Sequence, residues 1–487
     1  MPDLLIRGAR LGPALVDIEV DEGSITAVVP STVHSGARIA DGAAPKRTVD
    51  EVVEAEGRWI IPGLWDEHVH FDQWAASRRR IDLSAAASAA EAAALVIRDA
   101  PAGGGLVIGR SFRDALWADA PDRALLDGAF PDRPVVLVSA DLHCCWLNGA
   151  ALARFGVGEH PTGLLREDAG FAVLGQLGDA SAAERDAWAG EAAAAAAARG
   201  VVGIHDLEMG YNVEAWRRRT VAGFDALRVE SGIYAPDLDR AEAEGLSTGR
   251  VLGPLLSVGR FKTITDGSLG TRTAYCAEPY PGTHDHGVLA VGPDALRAQL
   301  RRAAEIGLEP AVHAIGDEAN RLALDAMIEL GTGGRIEHAQ LLHAPDLARF
   351  VAGGIGASIQ PEHAMDDRDI ADRYWAGRTG RGFLIRSLLD AGVHVRFGSD
   401  APVAALDPWH AIAAAVLRSR DGRDPWHEEQ AISAAEAIAC SVRSRIRPGE
   451  PADLVLLEAD PLGATGTLRD MPVAATLLGG RWTHRVV

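Results

Sequence analysis

Hydrophobic and polar positions divide this chain into stretches with two different rhythms. From residue 3 to residue 59 they alternate with a period of two, as in Leu4-Leu-Ile-Arg-Gly and Val16-Asp-Ile-Glu-Val-Asp-Glu-Gly-Ser-Ile. Successive side chains of a strand point to opposite faces, so this alternation predicts short half-buried strands and no helix. The C-terminal end has the same character. Ala452-Asp-Leu-Val-Leu-Leu-Glu458, Val473-Ala-Ala-Thr-Leu-Leu and Arg481-Trp-Thr-His-Arg-Val-Val again read as strands. Two β-rich ends around a long middle predict a small β-sandwich domain formed by both termini, 1–59 together with 446–487.

The middle, 60–445, switches between apolar β-type runs and Ala-rich helical stretches. Candidate strands are Ile60–Leu64, Leu106–Gly109, Val135–Ser139, Val201–His205, Leu227–Tyr234, Phe261–Thr265, Pro310–Ala314, Arg335–Ala339, Ile355–Ile359 and Val393–Ser399. Helical patterns lie between several of them, at Glu184–Arg199, Pro293–Ile306, Glu318–Leu330, Pro345–Ala352 and Phe383–Ala391. This repetition predicts an α/β fold with parallel strands and helices outside, a (β/α)8 TIM barrel. The candidates outnumber eight, so the strand numbering stays open, above all at Leu227–Tyr234. The stretch from about 72 to 177 is rich in Ala, Gly and Arg, has a weak βα rhythm, and reads as an insertion.

Composition narrows the partners. A chain of 487 residues has room for one large barrel and a smaller domain. Its 47% hydrophobic and 24% charged residues fit a soluble globular protein. The net charge of -20 repels phosphate, which argues against nucleic acid and anionic membranes. The expected partner is a small-molecule substrate, with a homodimer left open. Cys144, Cys145, Cys276 and Cys440 suggest no disulfide framework, as expected for a cytoplasmic protein. The N-terminal residues lack a signal-peptide pattern. The longest small-apolar run, Ala192–Ala198, is too short to span a bilayer and reads as helix.

A barrel carries its active site at the C-terminal ends of its strands. In Trp59-Ile-Ile-Pro-Gly-Leu-Trp-Asp-Glu-His-Val-His70 an apolar run leads to two histidines one residue apart. In extended backbone His68 and His70 share a face, so both imidazoles could hold one metal ion. Other candidate strands deliver Lys262 and Asp266, Val312-His313-Ala-Ile-Gly-Asp317, Ile336-Glu-His338 and Phe397-Gly-Ser-Asp400. A second pair, His284-Asp-His286, follows no strand and reads as a solvated loop. His313 and His338 are either core histidines or ligands, and each ending its own strand favours ligands. Asp400 suits a metal, or a helix N-cap ahead of Pro402. Lys262 is either half of a structural salt bridge or, once carboxylated, a metal bridge.

The order HxH, Lys, His, His, Asp resembles the metal-dependent amidohydrolase superfamily. Lys262-Thr-Ile-Thr-Asp-Gly-Ser-Leu-Gly-Thr-Arg-Thr-Ala274, Val312-His-Ala-Ile-Gly-Asp317, Arg335-Ile-Glu-His-Ala-Gln340 and Gly398-Ser-Asp-Ala-Pro402 look like amidohydrolase family 3, the group containing N-substituted formamide deformylases. Asp141-Leu-His-Cys-Cys-Trp-Leu-Asn148 resembles its substrate-side motif, and Pro448-Gly-Glu-Pro-Ala-Asp-Leu-Val-Leu-Leu its closing sandwich strand. The resemblance spans nearly the whole chain, less clearly the insertion.

That resemblance implies that His68, His70 and Asp400 hold one divalent metal, zinc being the expected ion. It implies that His313 and His338 hold a second, with carboxylated Lys262 and a hydroxide bridging the two. Asp400 and Lys262 are then the catalytic residues, Asp400 passing a proton from the attacking hydroxide to the leaving nitrogen. A one-metal version, with Lys262 unmodified and His338 a hydrogen-bond donor, stays open. On the substrate side stand His143, Trp146 and Asn148 from the insertion, with Gln360 and His363 at another strand end. Arg272 faces a substrate oxygen or a neighbouring carboxylate. His205 reads as core or support, and Trp74 and Trp375 as packing or pocket. The expected reaction is hydrolysis of a small-molecule C–N bond, an N-substituted formamide in the first instance. A deaminase or cyclic-amide hydrolase of the same superfamily is the alternative, and an inactive structural barrel the remote one.

Overall fold

The computed structural model describes residues 3–31, 49–177, 180–463 and 465–486. Eight parallel strands form the barrel: β1 (Leu64–Val69), β2 (Val201–Asp206), β3 (Arg228–Tyr234), β4 (Leu256–Ile264), β5 (Pro310–Ala314), β6 (Arg335–His338), β7 (Gly356–Ile359) and β8 (Val395–Phe397). Every residue of β1, β2, β5 and β6 is buried, as expected of strands covered on both faces. The ring closes just beyond β8. There the Asp400 amide donates to the His68 carbonyl at 2.7 Å, and the His70 amide to the Ala401 carbonyl at 2.8 Å.

The barrel strands thus follow sequence order, and Leu227–Tyr234 supplies the third. Two further candidate strands, Leu106–Gly109 and Val135–Ser139, belong to a separate sheet. The candidate at Ile60–Leu64 is corrected to two strands. Trp59–Pro62 pairs with Leu454–Leu457 in the terminal sheet, and β1 starts afresh at Leu64. Gly63 sits at the switch because a Cβ there would lie 2.4 Å from the Val202 side chain.

Both termini build one eight-stranded sheet, from Leu4–Leu11, Ala14–Asp21, Ser24–Pro30, Glu51–Glu54, Trp59–Pro62, Leu454–Leu457, Val473–Leu478 and Arg481–Arg485. It curls over a shared core that includes Ile6, Ile18, Val53, Leu454 and Leu477, and Ser24 bridges back to Pro451. The stretch after β1 opens with a helix, Phe71–Ser77, launched at His70. A five-stranded sheet follows, from Ile81–Asp82, Val107–Phe112, Val135–Ser139, Cys144–Leu147 and Leu164–Arg166. The helix Ala182–Ala197, opened by a Ser181–Glu184 capping box, returns the chain to β2. All four cysteines are buried and unpaired. Among the described residues no helix is long and apolar enough to cross a membrane.

Candidate metal centre

The C-terminal ends of β1, β4, β5, β6 and β8 bring His68, His70, Lys262, His313, His338 and Asp400 to one spot. The Nε2 atoms of His68 and His70 each lie 3.3 Å from Asp400 Oδ1. Lys262 Nζ lies 3.3 Å from the same His68 Nε2. The rings of His313 and His338 are 4.4 Å apart between centroids, and His338 is 5.0 Å from His68. Asp400 completes two donor groups: one with His68 and His70, the other with His338 and His363.

Backbone geometry makes this convergence possible. Neighbouring residues of a strand face opposite sides, yet Glu337 and His338 both reach His68. His338 has φ +70°, which breaks the alternation and turns its ring into the barrel. Asp400, at φ +57°, is in the same left-handed region. Such conformations cost a non-glycine residue about 1–3 kcal/mol and persist where the surroundings enforce them, often at functional sites.

The electrostatics suit a cation. Burial, then the nearby Lys262 charge, lowers His68 to about 4. Burial likewise holds His313 and His338 well below the ordinary imidazole value, which keeps them neutral lone-pair donors. Burial opposes ionisation of Asp400, but His68, His70 and His338 outweigh it and hold the carboxyl well below its usual range. Burial lowers the Lys262 ammonium to about 8, and Lys262 has no ion pair with any carboxylate among the described residues. Buried His70 Nδ1 and His338 Nδ1 have no hydrogen-bond partner among the described residues. The neutral imidazoles of His68, His313 and His338 around an ionised carboxylate, with idle ring nitrogens on His70 and His338, are a fitting donor set for a divalent metal.

Supporting acids surround this set; the strand-end strings show Asp266 but assign no role to Glu337 or Glu167. Glu337 Oε2 stands 2.8 Å from His68 Nδ1. Asp266 accepts backbone N–H bonds from Tyr275, Ile315 and Gly316 and lies 3.5 Å from His313 Nε2. Glu167 Oε2 is 3.0 Å from His143 Nδ1. Glu337 and Asp266 were visible as acids inside the strand-end strings, but their partners come from other strands.

The substrate-side residues divide. His143 lines the main cavity beside the cluster, and its ring is 6.5 Å from that of His313. His363 stacks at 18° on His338, with Nε2 4.0 Å from Asp400 Oδ2. Trp146 is corrected: it is fully buried in the core of the insertion, edge-on to Phe112. Asn148 is corrected too. Its side chain accepts from the Val135 and Ala151 amides and donates to the Phe130 and Arg133 carbonyls, which leaves nothing for a substrate. Arg272 is exposed, stacked on Tyr374, and lines neither cavity at the cluster. Gln360 is outside both of these cavities too and sits behind the site, Nε2 3.4 Å from His68 Nδ1. His205 is core, between Arg335 and the Arg260 amide. Trp74 and Trp375 pack in hydrophobic clusters. His284 is exposed, and His286 Nδ1 binds the Cys276 carbonyl.

Two cavities meet at Asp400. The larger, of about 790 Å3, runs from His68, His70, Lys262, His313 and His338 out along Ile108, Leu142, Phe171, Leu174 and Trp188. The smaller, of about 40 Å3, is walled by polar groups, among them Asp141, Ser268, Gln340, His363 and Asp366.

The model of the amidohydrolase family matches residues 51–484. Protein LONG AFTER FAR-RED 3 of Arabidopsis thaliana is 29% identical over 484 residues, covering 88% of this chain and 83% of that protein. The N-substituted formamide deformylase of Arthrobacter pascens is 27% identical over 526 residues, covering 95% and 93%. The fold matches that of an uncharacterized metal-dependent hydrolase from Pyrococcus horikoshii OT3, with a TM-score of 0.78, 24% identity, and 95% and 98% of the chains covered. Family match and strand-end geometry thus meet in one conclusion: the chain belongs to the amidohydrolase family and is a hydrolase of carbon–nitrogen bonds.

Proposed function

We propose that this enzyme removes a small acyl group, formyl in the first instance, from the nitrogen of a larger, largely apolar amine. One or two divalent ions, zinc by preference, would be held by His68, His70 and Asp400 and by His313 and His338. The supporting observation is the unequal space on the two sides of Asp400. The polar recess of about 40 Å3 has room for a group of only a few heavy atoms, since about 10–15 Å3 suffices for one water. The cavity of about 790 Å3 with its apolar wall suits the amine side. The deformylase relative, at 27% identity, adds to this reading.

A divalent metal in this donor set supplies Lewis acidity, bringing water toward a pKa of about 7 and polarising an amide carbonyl. The chain's own residues do the rest. Glu337 fixes the orientation of His68, leaving Nε2 free to face Asp400. Asp400, between the two imidazoles, takes the proton from attacking water and hands it to the departing nitrogen. His143, held by Glu167, donates to the amide oxygen from the cavity wall. Lys262 acts as its carbamate: the neutral amine adds carbon dioxide and loses a proton. Its burial with no carboxylate ion pair among the described residues and its contact with His68 support that role. The four free thiols support a cytoplasmic setting.

The test is a panel of N-substituted formamides with amines of increasing size, assayed for formate and the free amine together with metal analysis. Formate released in step with metal content supports the proposal. Ammonia from ring substrates without formate from any formamide would replace it with the deaminase reading.

A further inference from the structure

The helix that His70 launches is followed by three consecutive arginines, Arg78, Arg79 and Arg80. Two of them have evident partners. Arg78 lies over the Trp74 ring at 5.2 Å. Arg79 lies over Trp188 at 5.1 Å and pairs with Glu191 at 2.6 Å. Arg80 is half-buried, lines the main cavity, and forms no ion pair with any carboxylate among the described residues. Burial lowers its pKa, with Glu208 close enough to act only through space. Glu208 is itself engaged by the Gln73 and Met209 amides and the Gln73 side chain. A second guanidinium on the same wall, Arg185, bonds only the Ala180 carbonyl among the described residues. Taking a guanidinium partly out of water without an anion is unfavourable, and the planar fork of arginine matches a carboxylate in a bidentate pair.

We propose that Arg80, with Arg185 beside it, binds a carboxylate at the far end of the substrate, so that the enzyme's amide substrates are apolar-chained acids. This rests on the proposed C–N hydrolysis at the Asp400 centre. The apolar wall of Ile108, Leu142, Phe171 and Leu174 lies in the same cavity as the arginines and the histidines, which calls for a hydrophobic spacer. Glu184, Asp72 and Glu208 on the same wall disfavour a multiply charged phosphate and leave a single carboxylate as the matching anion.

Two measurements on the full-length, metal-loaded enzyme test this. In titration calorimetry with hexanoate and with 1-hexanol, the wild type binds hexanoate at least tenfold more tightly. Arg80→Gln abolishes that difference, and Arg80→Lys, which keeps the charge but loses the fork, retains part of it. An unaltered thermal midpoint certifies each variant as folded. Equal hexanoate affinity in wild type and Arg80→Gln would place the anion on the metal centre and overturn the proposal. In kinetics, N-formyl-6-aminohexanoate is preferred over N-formylhexylamine by at least tenfold in kcat/KM, and Arg80→Gln brings the ratio toward one. If neither formamide turns over, the proposed reaction falls, and the calorimetry still decides the carboxylate site by itself.

Discussion

Glu337 Oε2 stands 2.8 Å from His68 Nδ1, while the other nitrogen of that ring faces Asp400 at 3.3 Å. A carboxylate on the outer nitrogen fixes the tautomer and raises the basicity of the inner one. Glu337→Gln keeps the shape and loses the charge, and metal affinity should fall about 10- to 100-fold. Competition against a chromogenic chelator measures it. Unchanged affinity would show that Glu337 serves the Arg335 ion pair alone.

Asp400 has both a donor role and a proton role. Asp400→Asn retains an oxygen toward His68 and His70 but can carry no proton. Loss of general acid–base assistance predicts a fall of about 10²- to 10⁴-fold in kcat. Metal content measured on the same sample separates the two roles. Intact turnover in Asp400→Asn would remove Asp400 from the proton path.

Most of the barrel and the donor cluster was legible because each donor ends an apolar run, and parallel strands buried on both faces leave that run uninterrupted. What escaped depends on tertiary pairing. Strand alternation sets Glu337 on the face opposite His338, and the left-handed backbone at His338 puts both on one side. The insertion carries a sheet whose edge strand is only Ile81–Asp82, too short to show as alternation. Trp146 and Asn148 stand in a motif of substrate-side character, and the sequence does not show that this strand turns one face into its own core. Arg80 stands in a run of three arginines, and nothing in that run separates the one that lines the cavity from its neighbours.

The reassignment of Trp146 and Asn148 makes a stability prediction. Truncating a fully buried indole costs about 3–5 kcal/mol, and removing the Asn148 cap about 1–3 kcal/mol. Trp146→Ala and Asn148→Ala should therefore lower the thermal midpoint by several degrees while KM for a good substrate stays put. A KM change with an unaltered melting curve would return either residue to the substrate side.

Glu67 predicts how the enzyme responds to acid. It is 2% exposed and receives Arg335 at 2.8 Å and Arg443 at 2.6 Å. Burial opposes its ionisation, but Arg443 and then Arg335 outweigh burial and hold the carboxyl below the usual range. A depressed acid stabilises the fold above its unfolded value of about 4.3 and loses that contribution as pH falls through its folded value. The thermal midpoint should be level from neutral pH to about pH 5 and drop below about pH 4. Glu67→Gln leaves two guanidiniums short of a charge and should cost about 3–5 kcal/mol at neutral pH. An acid slope as steep in Glu67→Gln as in the wild type would assign the acid response to other carboxylates.

Lys262 gives the most direct test of one metal against two. It is 1% exposed, touches His68, and has no ion pair with a carboxylate among the described residues. Lys262→Met fills the same space without a charge. Replacing a buried charge with an apolar side chain is often neutral or stabilising, so the thermal midpoint of the metal-free protein should hold or rise. If the lysine carries carbon dioxide as a bridging carbamate, the variant should bind at most one ion. It should also lose the carbamate resonance that the wild type shows after loading with ¹³C-bicarbonate. Two ions bound and full turnover in Lys262→Met would eliminate the carbamate and leave His313 and His338 as sole holders of the second ion.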